Sequence, residues 1–153
     1  MSQVADHRDQ PKPDLDELLC FLVYSSGLAF NRVYRKPLGA LGLTYPQYIV
    51  MIALWAQDGL TVGRIGERLR LDSGTLTPLL KRLEGLGLVS RRRATEDERR
   101  VEITLTPQGD ALRLRAAEVM ACVTGDVAMP PSEIDVIKDQ LRRLRANLDM
   151  AAA

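Results

Sequence analysis

Residues 62 to 105 constrain this chain more than any other stretch. They read as a short helix, a turn, a second helix, and two strands joined by a charged loop. Within the second helix Leu76, Leu79, Leu80, Leu83 and Leu86 recur three and four apart, which makes one face core. The other face is left to Ser73, Thr75, Thr77, Pro78, Lys81 and Arg82. Small hydroxyls near a helix start can reach base edges and cations further along can reach phosphates, so this pattern suits a helix laid in a major groove of duplex DNA. The expected fold is mainly α with a small β-hairpin: a winged helix-turn-helix over 44–106, flanked by dimerisation helices over 14–38 and 107–150.

The flanks follow from capping and breaking residues. Residues 1–13 are polar, contain Pro11 and Pro13, and read as a flexible leader. Asp14 can cap a helix running to about Lys36, ended by Pro37 and Gly39. Thr44 can cap a helix from Tyr45 to Gln57, and Thr61 a short one through Leu69. Gly63 and Gly66 weaken that short helix, so packing must hold it. Ser73 is the expected cap of the next helix, with Pro78 inside it despite the amide that proline lacks. Val89 to Arg93 and Val101 to Leu105 read as strands, with Val101, Ile103 and Leu105 inward. Thr106-Pro107 opens a long helix to about Val127. Pro130-Pro131 breaks it, and Ser132 restarts a helix whose Ile134, Ile137, Leu141, Leu144 and Leu148 form a narrow heptad seam.

Bulk numbers remove several classes of function. A length of 153 residues fits one domain or one subunit of an oligomer, and 46% hydrophobic content supports a real core. The net charge of +1 is uninformative, but its distribution is not. From Arg64 to Arg100 lie ten Lys or Arg against six acids, a balance of +4, which leaves −3 for the rest. No apolar run reaches membrane length and the start has no signal-peptide core, so a cytoplasmic protein with no membrane partner is expected. Its two cysteines, Cys20 and Cys122, would be reduced at rest. The lone His7 lies in the leader, which excludes a histidine triad or a multi-histidine metal site in the body, and no cofactor is expected.

From about Asp14 to Leu148 the chain resembles the MarR superfamily of winged-helix repressors. The match is carried by Leu88-Val89 and by the run from Asp97 to Thr106 (DERRVEITLT). Within that superfamily it is similar to the organic hydroperoxide resistance regulators, through Leu19-Cys20-Phe21, through Leu43 to Tyr48 (LTYPQY), and through Leu71 to Glu84. The resemblance implies a homodimer that represses by binding double-stranded operator DNA and takes an organic hydroperoxide as inducer. It also implies that Cys20 senses the peroxide, that Tyr34 and Tyr45 hold its thiolate, and that Cys122 resolves the oxidised sulfur as an intersubunit disulfide. In the wing, Arg93, Arg99 and Arg100 are placed for phosphates or the minor groove, and Asp97 for bracing an arginine.

The cysteine reading makes a physical demand. An ordinary thiol is only roughly 3% thiolate at neutral pH, so a fast sensor needs hydrogen-bond donors aimed at its sulfur. Tyr34 lies 14 residues beyond Cys20, which is ~21 Å along one continuous helix. It can serve Cys20 only from a second copy of the chain. Two other readings stand beside this one. A regulator of the same fold could be released by a non-covalent phenolic ligand. A cysteine peroxidase is the enzymatic alternative, disfavoured because turnover has no use for a DNA-reading module; the protein is therefore expected not to be an enzyme.

Overall fold

The structure, a computed structural model, describes residues 14–93 and 101–152. The leader and Asp97, Arg99 and Arg100 lie outside the described residues. A single 3-10 turn at Leu15–Glu17 precedes α1 (Leu19–Gly39), α2 (Tyr45–Ala56), β1 (Leu60–Thr61), α3 (Val62–Leu69), α4 (Ser73–Gly85), β2 (Val89–Arg93), β3 (Val101–Leu105), α5 (Pro107–Val127) and α6 (Pro131–Ala151). The described residues up to Arg113 make one compact unit and those from Leu114 onward a second.

In the first unit, α2, α3, α4 and a three-stranded antiparallel sheet of order β1-β3-β2 enclose the core. Met51, Leu54, Ile65, Leu76, Leu80, Leu83 and Ile103 are fully buried there. Each contributes about 1.5–3 kcal/mol relative to an exposed side chain, enough to hold the glycine-weakened α3 in place. Both hairpin strands have their expected bounds. The two-residue β1 was not expected. Leu60 pairs with Ile103 and Thr61 with Glu102, and Asp58 Oδ1 secures the junction by accepting from Leu105 N–H at 2.8 Å.

Four expectations need correction. Asp14 caps only the 3-10 turn, accepting from Asp16 N–H at 3.1 Å, and α1 begins at Leu19. Pro37 does not end α1 but sits in its last turn, which closes when Leu43 N–H donates back to Leu38 O at 3.1 Å. Leu86 follows α4 as its C-cap and is 45% exposed, so it is not core. The last helix starts at Pro131 rather than after Ser132, because proline's fixed φ suits a first helical position.

Two glycines are required by close approach. A methyl group on Gly66 would lie 2.9 Å from the Leu71 carbonyl oxygen, where the chain turns from α3 into α4. One on Gly109 would overlap the Leu88 carbonyl. Around Gly109 the start of α5 is bound tightly. Its N–H donates to Thr106 Oγ1 at 3.0 Å, Thr106 Oγ1 donates to Gly87 O at 2.6 Å, and Trp55 Nε1 donates to Gly109 O at 2.9 Å.

In the second unit Ala116, Val119 and Val123 are buried along one stripe of α5. No residue of α6 is buried. Of its heptad seam, Ile134 and Leu144 are half-buried within one chain, while Ile137, Leu141 and Leu148 are between 43% and 59% exposed.

Candidate nucleic-acid interface and thiol-bearing helix

α4 starts at Ser73, with Pro78 inside it. Its cap is Asp72, not Ser73. Asp72 Oδ1 accepts from Thr75 N–H at 2.8 Å and Oδ2 from Thr75 Oγ1 at 2.8 Å. These two bonds, the amide first, hold the Asp72 carboxyl below its ordinary pKa of 3.8. A carboxylate sets a separate oxygen against each donor of Thr75, where a serine has a single oxygen for both. Ser73, Thr75, Pro78, Lys81 and Arg82 are all exposed, and Thr75, Pro78 and Arg82 follow one another on a single face. Thr77 is half-buried, turned from that face towards a groove it lines with Arg64 and Arg91.

The wing strands divide their arginines by face. Arg92 stands opposite Glu102, an opposite-charge pair across the strands, while Arg91 stands opposite the buried Ile103. Arg93 stands opposite Val101. The half-buried position of Arg91 was not singled out from sequence. Its signal was there in the alternation, because a strand that turns Val89 inward turns Arg91 the same way.

Cys20 is exposed in the first turn of α1, and Cys122 is exposed beside buried Val123 on α5; both are free thiols. α1 continues without a break past Tyr34. There Tyr34 meets Tyr45 of α2 at 4.9 Å between ring centroids and Tyr48 at 5.7 Å. Tyr48 meets Trp55 at 6.4 Å. The α2 start that presents Tyr45 is fixed by Thr44, whose N–H donates to Gln47 Oε1 at 2.9 Å, with Gln47 buried. Burial raises the Tyr34 phenol above its ordinary pKa of 10.0, helped by Tyr48 and Tyr45. A protonated Tyr34 is a hydrogen-bond donor throughout the physiological range. The structure therefore brings Tyr34 and Tyr45 together and keeps both at the far end of α1 from Cys20. Tyr48 joins the two phenols in one row.

Comparison with known proteins places this geometry. Residues 32–113 match the family described as transcriptional regulator SarA/Rot. The chain is 41% identical over 134 residues to the organic hydroperoxide resistance transcriptional regulator of Bacillus subtilis, covering 88% of this chain and 91% of that protein. The chain belongs to the SarA/Rot/MarR-type family of winged-helix transcriptional regulators. The regulator is also 47% identical over 152 residues to the HTH-type transcriptional regulator TtmR of Methylorubrum extorquens, covering 99% of this chain and 76% of that one. Among solved structures, reduced AbfR bound to DNA superposes with a TM-score of 0.78 at 36% identity, over 88% of this chain and 92% of that one. AbfR, from Staphylococcus epidermidis, has also been solved in a disulfide form. Among the described residues no group of acids, cysteines or histidines could hold a metal ion, and no helix is long and apolar enough to cross a membrane.

Proposed function

We propose that this regulator is a cytoplasmic repressor that binds duplex operator DNA as a homodimer and releases it when Cys20 is oxidised by an organic hydroperoxide. The observation that carries the reading is the separation along α1: an exposed thiol in the first turn, and a phenol pair 4.9 Å apart more than three turns later. Along an unbroken helix those phenols are ~21 Å from their own Cys20. Two α1 helices crossing about a two-fold axis would bring each Cys20 to the partner's tyrosines. Leu19, Leu22, Val23 and Phe30 of α1 are 42–58% exposed, an apolar face of the kind that a second copy covers.

The chemistry then runs in two balanced steps. The Cys20 thiolate attacks the outer oxygen of ROOH; the O–O bond breaks, the sulfur becomes a sulfenic acid, and the alkoxide leaves as ROH after taking a proton. The Cys122 thiol of the other subunit attacks that sulfenic sulfur, an S–S bond forms, and water leaves. The first step removes the thiolate the phenols were holding, and the second draws that sulfur towards Cys122. α1 lies in the dimer and α4 reads the groove, so a shift at Cys20 alters the spacing of the two recognition helices. Peroxide is consumed once per thiol and not turned over. The relative from B. subtilis supports the inducer class through its name, and AbfR supports the cycle as a protein known both reduced on DNA and disulfide-formed.

The test is a gel shift with increasing organic hydroperoxide. Cys20→Ser should bind DNA like wild type and stay bound; release at the wild-type peroxide dose refutes the reading. Cys122→Ser should lose the peroxide-dependent dimer band on a non-reducing gel while its Cys20 still reacts with a sulfenic-acid probe.

A further inference from the structure

The groove between α3, α4 and the wing sheet holds two arginines outside the exposed face of α4. We propose that it is a second contact with the sugar–phosphate backbone of duplex DNA, made by Arg91 and Arg64 and weakened by Glu67. The inference rests on the DNA-reading function proposed above and adds residues to it. Arg91 pairs across the sheet with Ile103, and residues directly opposite in a ladder share a face. Ile103 is fully buried, so Arg91 stands on the covered side of the sheet, half-buried, not on the open side with Arg92. An arginine in that position lays its stem on apolar neighbours and carries its charge to the rim.

The neighbours are suited to this. Arg91 lines an open groove of about 440 Å³ together with Leu80, Val101, Thr77, Arg64 and Glu67. Leu80 and Thr77 belong to the recognition helix, so the groove runs along that helix. A helix seated in a major groove is walled by both phosphate strands, and cations beside it meet phosphates and not base edges. The groove sets two guanidiniums against one carboxylate. That carboxylate, Glu67, lies 3.0 Å from Arg64, with the two side chains 69% and 70% exposed. An exposed pair of this kind is weak and screened by salt, so a phosphate can displace Glu67 from Arg64. The same residue opposes the approach of the phosphate until it is displaced. Arg92, next door but opposite Glu102, serves as the internal control.

The experiment measures binding by the full-length protein to a labelled duplex that the wild type has enriched from a random library, across a range of salt. Each phosphate contact contributes about 0.9 to the slope of log K against log salt. Arg91→Gln should lower that slope by about one per bound subunit, Arg91→Lys should retain it, and Arg92→Gln should match wild type. Glu67→Gln should tighten binding. A wild-type slope in Arg91→Gln overturns the proposal. So does an equal loss in Arg91→Lys, which would assign Arg91 to packing. Arg82→Gln separates the two readings: weakened binding there with Arg91→Gln unaffected sinks only the groove, while a wild type that enriches no duplex sinks the DNA-reading function itself.

Discussion

Asp72 and Tyr34 are each set by their neighbours in a way that pH can expose. The Asp72 carboxyl is held below 3.8 by the Thr75 amide and hydroxyl. A lowered folded pKa means that this contribution is complete above the unfolded value and is lost as pH falls through the folded one. Asp72→Ala should therefore lower the thermal midpoint at neutral pH and flatten the dependence of stability on pH below about 4. A variant that keeps the wild-type acid profile would show that the cap does not act this way. Tyr34 and Tyr48 lie on the other side of the scale, both raised above 10.0, chiefly by burial. A raised folded pKa leaves stability intact below 10.0 and erodes it as pH climbs through the folded value. Phenolate absorbance should accordingly show Tyr34 and Tyr48 ionising above 10.0, and returning to the ordinary value on unfolding. An absorbance titration with no component above 10.0 would contradict the buried row.

At the scale of elements, the junction from β3 into α5 is the least forgiving place in the first unit. Leu88 O accepts from Thr106 N–H at 3.1 Å, and Gly109 passes directly over that carbonyl. Gly109→Ala should destabilise by about 3 kcal/mol in urea unfolding, because backbone and not a flexible side chain must move; a loss under about 1 kcal/mol would show that the contact relaxes. The same junction shows what a sequence carries and what it omits. Thr106-Pro107 announces a helix start through cap chemistry, and the β3 alternation announces Ile103 as core; both are local signals. That Gly109 must be glycine is not local, since the clash comes from Leu88, 21 positions earlier. β1 failed for a similar reason: two residues have no period, and pairing with β3 alone defines them. Asp72 and Ser73 are both good caps by type, and the choice fell to the residue able to satisfy both donors of Thr75. Tyr34 and Tyr45 were legible as a pair only through resemblance. Their meeting depends on how α1 turns back onto α2, which Leu43 N–H and Leu38 O decide.

Across the whole molecule, apolar surface and charge are arranged for partners. α1 and α6 carry Phe30, Leu22, Ile137 and Leu141 uncovered, at 43–47% exposure. Ten of the 21 Lys and Arg crowd into residues 64–100. The two features are linked in the proposed repressor, since a dimer doubles the cationic footprint and makes the second half-site contact intramolecular. Phe30→Glu should leave the first unit folded, halve the mass in sedimentation, and weaken operator binding by more than about tenfold. A dimeric Phe30→Glu protein with wild-type affinity would place the interface elsewhere. Thermal midpoints should also rise with protein concentration in the wild type and not in this variant.

Trp55 is the chain's single tryptophan, and its indole lies edge-on to Tyr48, the ring next to Tyr34. Indole emission responds to the polarity and hydrogen bonding around it, so the protein contains its own unlabelled optical probe two rings from Tyr34. A stopped-flow fluorimeter could then time the movement of Tyr34 after peroxide is mixed in, and set that clock against the moment the DNA is lost.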